Sequence, residues 1–480
     1  MNTTLPSRKL MPKTLLTCLA LGAVGSGWWA VNHVRRSGAF PAHAAVAAPV
    51  DVLDAFPRPT GTSATDLAII KWTAKARQNR GDARALINLG DALMQHIRDT
   101  ADLTYYGHAE GLYQKALALQ PGNSEAIIGL AWVDSGRHQF DKSIEWAKQA
   151  IAIDPRNRAA YGLIGDAAVE QGDYAAAYKN YQKMLDLRPD ISSYSRGAHL
   201  LHITGHFMHA GWLMRKAIDS GATYGENTAW CRAQLALIYF SDGNVPAAEM
   251  ELTDALIKTP HNRHLLAAMG KVKAARGQFP AAIAFYKKAI AIAPEHDTLI
   301  ALGDLYAVTG NKVEAEKQYA EVEALHRRSH AANDTTHNFP MAQFYADHDR
   351  NLVEALRLAE ARKLTKNVFE QDTLAWCYYK NNQMEQAKAA IRRALRQKTS
   401  DTRILFHAGM IYAAKGEATD AQKYLYRAIS LNPNFSPILA PIATDMLKKL
   451  SHQTAALAGE PSAPASTPAR IAQVAPRVAQ

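Results

Sequence analysis

The chain has 480 residues, of which 48 % are hydrophobic and 21 % charged, with a formal net charge of +11. That length exceeds what one ordinary core needs, and the apolar share excludes a chain that is disordered throughout. Five basic residues and no acid fall in the first 44 positions, so the rest carries a diffuse +6 without an Arg/Lys block, which argues against a nucleic-acid partner.

In chain order, "RKLMPK" precedes an uncharged apolar run from Thr14 to Val31, and "NHVRR" follows. Residues 1–36 therefore read as a signal peptide or an N-terminal membrane anchor. "AHA" at Ala42–Ala44 favours cleavage, whereas Trp28 and Trp29 favour retention. Both readings place the bulk of the protein in the cell envelope, exported, periplasmic or anchored to the inner membrane. Residues 37–63 are Ala/Pro-rich and read as a linker. "TDLAIIKWTAKARQNRGD" then predicts an amphipathic capping helix, and "PILAPIATDMLKKL", from Pro437, a second one at the far end. The segment 451–480 reads as a disordered Ala/Pro-rich tail.

Between them, residues 64–450 are repetitive. Ser124–Asn157 and Arg158–Ile191 abut as 34-residue copies, as do Ala229–Asn262 with Arg263–His296, and Val368–Asp401 with Thr402–Phe435. Looser copies fill the gaps, and a first copy, Asp82–Asn123, carries an insertion, giving about ten units. Each unit predicts two helices that meet at small residues. These are Gly90, Ala131, Gly165, Ala198, Ala236, Gly270, Gly303, Ala375 and Gly409 in the first helix, and Ala109, Ser143, Ala177, Ala210, Ala248, Ala282, Ala315, Ala387 and Ala421 in the second. A bulky residue four further on plugs the gap, as at Tyr113, Tyr181, Tyr286, Tyr319 and Leu425. Spacings of three, four and seven keep these on one helical face. Gly172, Gly243, Gly277, Gly310 and Gly416 follow the first helix, where a left-handed residue caps cheaply, and Pro121, Pro155, Pro189, Pro260, Pro294 and Pro433 close the second.

Period and residues resemble the tetratricopeptide repeat family over roughly Asp82 to Lys448. The resemblance implies an all-α fold, a right-handed α-solenoid of about ten helix-turn-helix repeats with capping helices. It also implies a concave groove, lined by first helices, that docks a peptide or helix of a protein partner. In the register above, Trp132, Asp166, His199, His202, Phe240, Lys271, Asp304, Trp376, Phe406 and Met410 are expected in that groove. Lys271 is isolated, so the paired Lys and Asn residues with which some relatives clamp a C-terminal carboxylate are missing.

"HLLHITGHFMHAG" places His199, His202, His206 and His209 within eleven residues, a candidate metal cluster. Gly205 divides it, so convergence of all four is not expected. Cys231 and Cys377 stand alone without CxxC, and GxSxG, P-loop and HExxH motifs are absent. No cofactor and no catalysis are expected. The expected function is a non-catalytic scaffold or adaptor in the cell envelope, with membrane contact through the N-terminal segment only. The alternative is a periplasmic metal- or ligand-handling protein using the His199–His209 cluster.

Overall fold

The computed structural model describes residues 53, 59 and 61–457, apart from 223–224, 332–337 and 364. The leader, most of the linker and most of the tail lie outside the described residues. Among the described residues there are twenty-two α-helices and no strand, and no helix is long and apolar enough to cross a membrane.

The helices pair into ten units. Unit 1 joins Ala83–Thr100 to Tyr105–Leu119, unit 2 Ser124–Gly136 to Phe140–Ile153, and unit 3 Arg158–Glu170 to Tyr174–Leu187. Unit 4 joins Ile191–Ile203 to Phe207–Asp219, unit 5 Glu226–Ser241 to Val245–Lys258, and unit 6 Arg263–Ala275 to Phe279–Ile292. Unit 7 joins His296–Val308 to Lys312–Ala331, and unit 8 Asn338–Asp347 to Leu352–Glu360. Unit 9 joins Val368–Lys380 to Met384–Ala394, and unit 10 Thr402–Ala414 to Ala418–Leu431. Ala64–Gln78 and Leu439–Leu457 flank the stack, the latter running seven residues past the expected boundary at 450. Leu53, inside the segment read as a linker, is buried against the first helices, and its carbonyl accepts a hydrogen bond from Arg77 Nη2 at 3.1 Å.

Local chemistry sets the helix boundaries. Asp82, Asn123, Asn157, Asp190, Asn262, Asn367 and Asp401 each precede a first helix and accept a hydrogen bond from its opening turn. Second helices end two residues before the closing proline, as at Ile153, Leu187, Ile292 and Leu431. The turn between the two helices takes a left-handed residue: Gly172, Gly205, Gly243, Gly277, Gly310 and Gly416 all have positive φ. His138 and Asn382 occupy the same position with φ of 57° and 59°.

The expected notches hold the plugs. A Cβ added at Gly165 would stand 2.3 Å from Tyr181 Cε1, at Gly303 2.5 Å from Tyr319 Cε1, and at Gly409 2.4 Å from Leu425 Cγ. Tyr113 is gripped from two sides, by Gly90 in its own unit and Gly129 in the next. Stacking of this kind buries faces that a single unit leaves open.

The stack also returns on itself. Asn367 Nδ2, entering unit 9, donates to Glu170 O in unit 3 at 3.2 Å, and Val368 N donates to Tyr174 Oη at 3.1 Å. Arg396 Nη2 donates to Gly172 O at 3.2 Å. Gly205 of unit 4 lies against Ser400, just before unit 10. Asn432 Nδ2, just after unit 10, donates to Phe240 O of unit 5 at 2.8 Å. Units 3, 4 and 5 thus touch chain six units further on, whereas Arg98 O of unit 1 accepts from Arg263 Nη2 at the start of unit 6 at 2.8 Å, so five to six units complete one coil. At Gly172, Gly205 and Gly243 the second coil leaves no room for a side chain, whereas Gly277, Gly310 and Gly416 meet nothing within 4 Å.

Candidate functional site

The coil encloses a cavity of about 1560 Å³ lined by residues from unit 2 through unit 10. Most of its wall is the inner faces of first helices, to which Phe140, Tyr174, Phe207, Tyr286 and Leu358 of second helices add. His199, His202, Phe240, Lys271 and Asp304 line it. Trp132, Asp166, Trp376, Phe406 and Met410 do not.

Each departure has a packing cause. Trp132 is half-buried and packs against the cores of units 1 to 3. Asp166 accepts a hydrogen bond from Tyr181 Oη at 2.8 Å and from Arg196 Nη2 at 2.8 Å, so its carboxylate is occupied. In units 9 and 10 the inner register is consumed by core built between adjoining units. Trp376 is 4 % and Phe406 1 % exposed; Met410 packs beside them. Trp376 stacks between His407, at 4.2 Å between ring centres, and Tyr379, at 4.7 Å.

His407, in the string "FHAGM", meets Asp347 of "ADHD" and Asp372 at this place. The His407 ring is fully buried, with Nδ1 2.9 Å from Asp372 Oδ1 and Nε2 3.8 Å from Asp347 Oδ1. Burial opposes charge on the imidazole, but Asp372 and Asp347 outweigh it and raise its pKa. Asp347 is held below the usual carboxylate range, because His407 and Arg403 outweigh its own burial.

A recurring pair was not anticipated from the sequence. The residue after the small site accepts the plug hydroxyl: Asp91 from Tyr113 at 2.8 Å, Asp166 from Tyr181 at 2.8 Å, and Asp304 from Tyr319 at 2.9 Å. Asp304 Oδ1 is also 2.7 Å from His348 Nε2, and it still borders the cavity. A second missed set is position two of the first helix in the later units: His264, Asp297, Phe339, Phe369 and Arg403 all line the cavity. Their spacing of about one repeat is the signal that would have found them.

The interior perturbs its titratable groups. Burial, aided by the neighbouring Glu370 carboxylate and opposed by Arg362, raises Glu170 to about 7. Burial, together with His199, lowers His202 to about 4. Burial also lowers Lys271, with Asp401 opposing. His202 Nε2 is 3.1 Å from Ser241 Oγ. His206 and His209 are exposed at the start of the next helix, away from His199 and His202. Among the described residues, no group of three His, Cys, Asp or Glu side chains is arranged to hold a metal ion.

Stacked antiparallel helix pairs around an axial cavity define a helical-repeat solenoid. The profile of the tetratricopeptide repeat matches residues 128–190, 234–297 and 373–434, so the chain carries tetratricopeptide repeats at these three places. Such repeats mark protein–protein interaction scaffolds. Relatives include a Protein CTR9 homolog of Arabidopsis thaliana, 26 % identical over 217 residues, covering 42 % of this chain and 20 % of that protein. Small glutamine-rich tetratricopeptide repeat-containing protein 2 of Mycosarcoma maydis is 35 % identical over 92 residues, 19 % of this chain and 26 % of that one. Cellulose synthase operon protein C of Escherichia coli K12 is 27 % identical over 154 residues, 29 % of this chain and 13 % of that one. The chain thus spans about a quarter or less of the length of these relatives. Among solved structures, the APC/C hetero-tetramer Cut9–Hcn1 overlays with a TM-score of 0.37 at 13 % identity, covering 81 % of this chain and 96 % of that one.

Proposed function

We propose that the protein is a non-catalytic scaffold of the cell envelope that holds a segment of a partner protein inside the coil. The cavity carries this reading: at about 1560 Å³ it exceeds the ~300–1,000 Å³ usual for small-molecule pockets. Its wall draws on successive units, so an occupant would be read along its length. The envelope setting rests on the basic start and apolar run of residues 1–36. Similarity to a cellulose synthase operon product supports a place in assembling a polymer-export or secretion machine.

The test is site-specific photo-crosslinking in intact cells. A photoreactive residue at Ile300 or Lys271, both on the cavity wall, should trap one discrete partner band. The same residue at Tyr178, 58 % exposed and absent from that wall, is the control. Equal capture from inside and outside, or none from inside, refutes docking in the coil.

A further inference from the structure

Resting on that reading of the cavity as a docking site, we infer that its occupant is an extended partner segment bearing Lys or Arg side chains. The chain as a whole is +11, yet eight Asp or Glu side chains line the cavity against four Lys or Arg. A cleft of one sign concentrates its field inward and selects ligands of the other. The inversion is local, because the chain overall repels cations.

The cations on the wall are already engaged. Arg362 Nη1 lies 3.2 Å from Glu370 Oε1, and Arg403 Nε 3.7 Å from Asp372 Oδ2. Lys142 Nζ donates to Gln139 Oε1 at 2.8 Å, and Lys271 Nζ stands 5.1 Å over the Phe240 ring. Several carboxylates have partners as well, Glu295 in Arg263, Asp304 in His348 and Asp347 in His407, but the pairing around Glu170, Asp297 and Glu370 is incomplete. Glu370 is 9 % exposed, and its Oε2 is buried with no hydrogen-bond partner. Asp297, at the start of unit 7, is exposed on the wall. Burial first, and then the neighbouring Glu370 carboxylate, raise Glu170, and a cation placed between the two would offset both. Between these acids, Leu237, Ile300 and Phe369 supply apolar wall. A segment with cationic side chains at intervals and apolar ones between them meets both demands.

The experiment uses the full chain and dye-labelled peptides built from Lys-Ala-Ser-Leu repeats, with Glu or Gln replacing Lys in two counterparts, read by fluorescence anisotropy. The Lys peptide should bind at least about tenfold more tightly than either counterpart. The double variant Glu170→Gln/Asp297→Asn should weaken it about tenfold, and added salt should weaken it further. Gln234→Trp, which fills the cavity from a half-buried wall position, should abolish binding while circular dichroism confirms the fold. If the Gln peptide binds as well as the Lys peptide and both are lost in Gln234→Trp, docking in the coil stands and the preference for cations is overturned. Tighter binding of the Glu peptide overturns it as well. Undiminished binding of the Lys peptide to Gln234→Trp places the site elsewhere and overturns both readings.

Discussion

Replacing Gly172 by alanine should open the coil. Gly172 and Gly277 occupy the same turn in different units, with φ of 74° and 71°. An alanine at either pays the same left-handed strain, about 1–2 kcal/mol. Their surroundings differ. A Cβ at Gly172 would stand 2.0 Å from Lys366 C and 2.2 Å from Asn367 N, both backbone atoms, whereas one at Gly277 meets nothing within 4 Å. Backbone cannot swing aside as a side chain can, so the two coils must part. Parting them breaks the hydrogen bonds from Asn367 to Glu170 O, from Val368 to Tyr174 and from Arg396 to Gly172 O. At about 0.5–1.5 kcal/mol each, these add roughly 2–4 kcal/mol to the strain. Gly172→Ala should therefore lower the denaturation midpoint about two- to threefold more than Gly277→Ala. Hydrogen exchange gives the local readout: the Val368 amide, bonded to Tyr174 Oη, should lose protection in Gly172→Ala and keep it in Gly277→Ala. Equal midpoints, with Val368 protected in both variants, would refute a touching coil.

Three further outcomes follow from the same geometry. Gly165→Ala drives a Cβ to within 2.3 Å of Tyr181 Cε1 and should cost ~1–3 kcal/mol by chemical denaturation. Combining it with Tyr181→Ala should make the two costs non-additive, since the clash is removed with the ring. His138→Gly relieves a positive φ on a residue with a Cβ and should stabilise unit 2 by about 0.5–1 kcal/mol; Asn382→Gly should gain less, because asparagine tolerates that conformation better. Glu170 has its folded pKa raised to about 7, by burial first and then by Glu370, with Asp166 adding and Arg362 opposing. The folded protein therefore binds this proton more tightly than the unfolded chain does. Its contribution is fully present below the ordinary Glu pKa of about 4.5 and is lost as pH rises to about 7. Melting temperature should fall across that window, and Glu170→Gln should flatten the fall.

Much of this architecture is written locally, and what was missed is non-local. Gly165, Gly303 and Gly409 could be placed as notches, because the residues they receive, Tyr181, Tyr319 and Leu425, sit sixteen positions later in the same unit. The inner register reaches the cavity wall from unit 4 to unit 7 for the same reason: His199, Leu237, Lys271 and Asp304 face inward through the local geometry of one helix pair. Trp376 and Phe406 depart from it, because the rings that bury them, His407 and Phe435 among them, come from the adjoining unit and the segment after it rather than from one helix pair. Asp166 was assigned to the groove because its helical face was right; its engagement by Arg196, in the following unit, decided otherwise.

The coil contacts mark the boundary of what a periodic sequence can disclose. Gly172 and Gly277 carry the same motif in the same place, yet only one is pressed by another part of the chain. Val368 and Tyr174 are 194 residues apart, and nothing in either repeat announces the other. A nearest-neighbour stack would have a stability that sums over adjacent units. This chain adds terms between units 3 and 9, 4 and 10, and between unit 5 and the segment after unit 10. Those terms turn an open ribbon into a closed coil, and closure is what gives the acidic wall its enclosure. The site is thus a property of the coil rather than of any single repeat. Whatever parts the coils at Gly172 should also weaken an occupant held between Glu170 and Glu370.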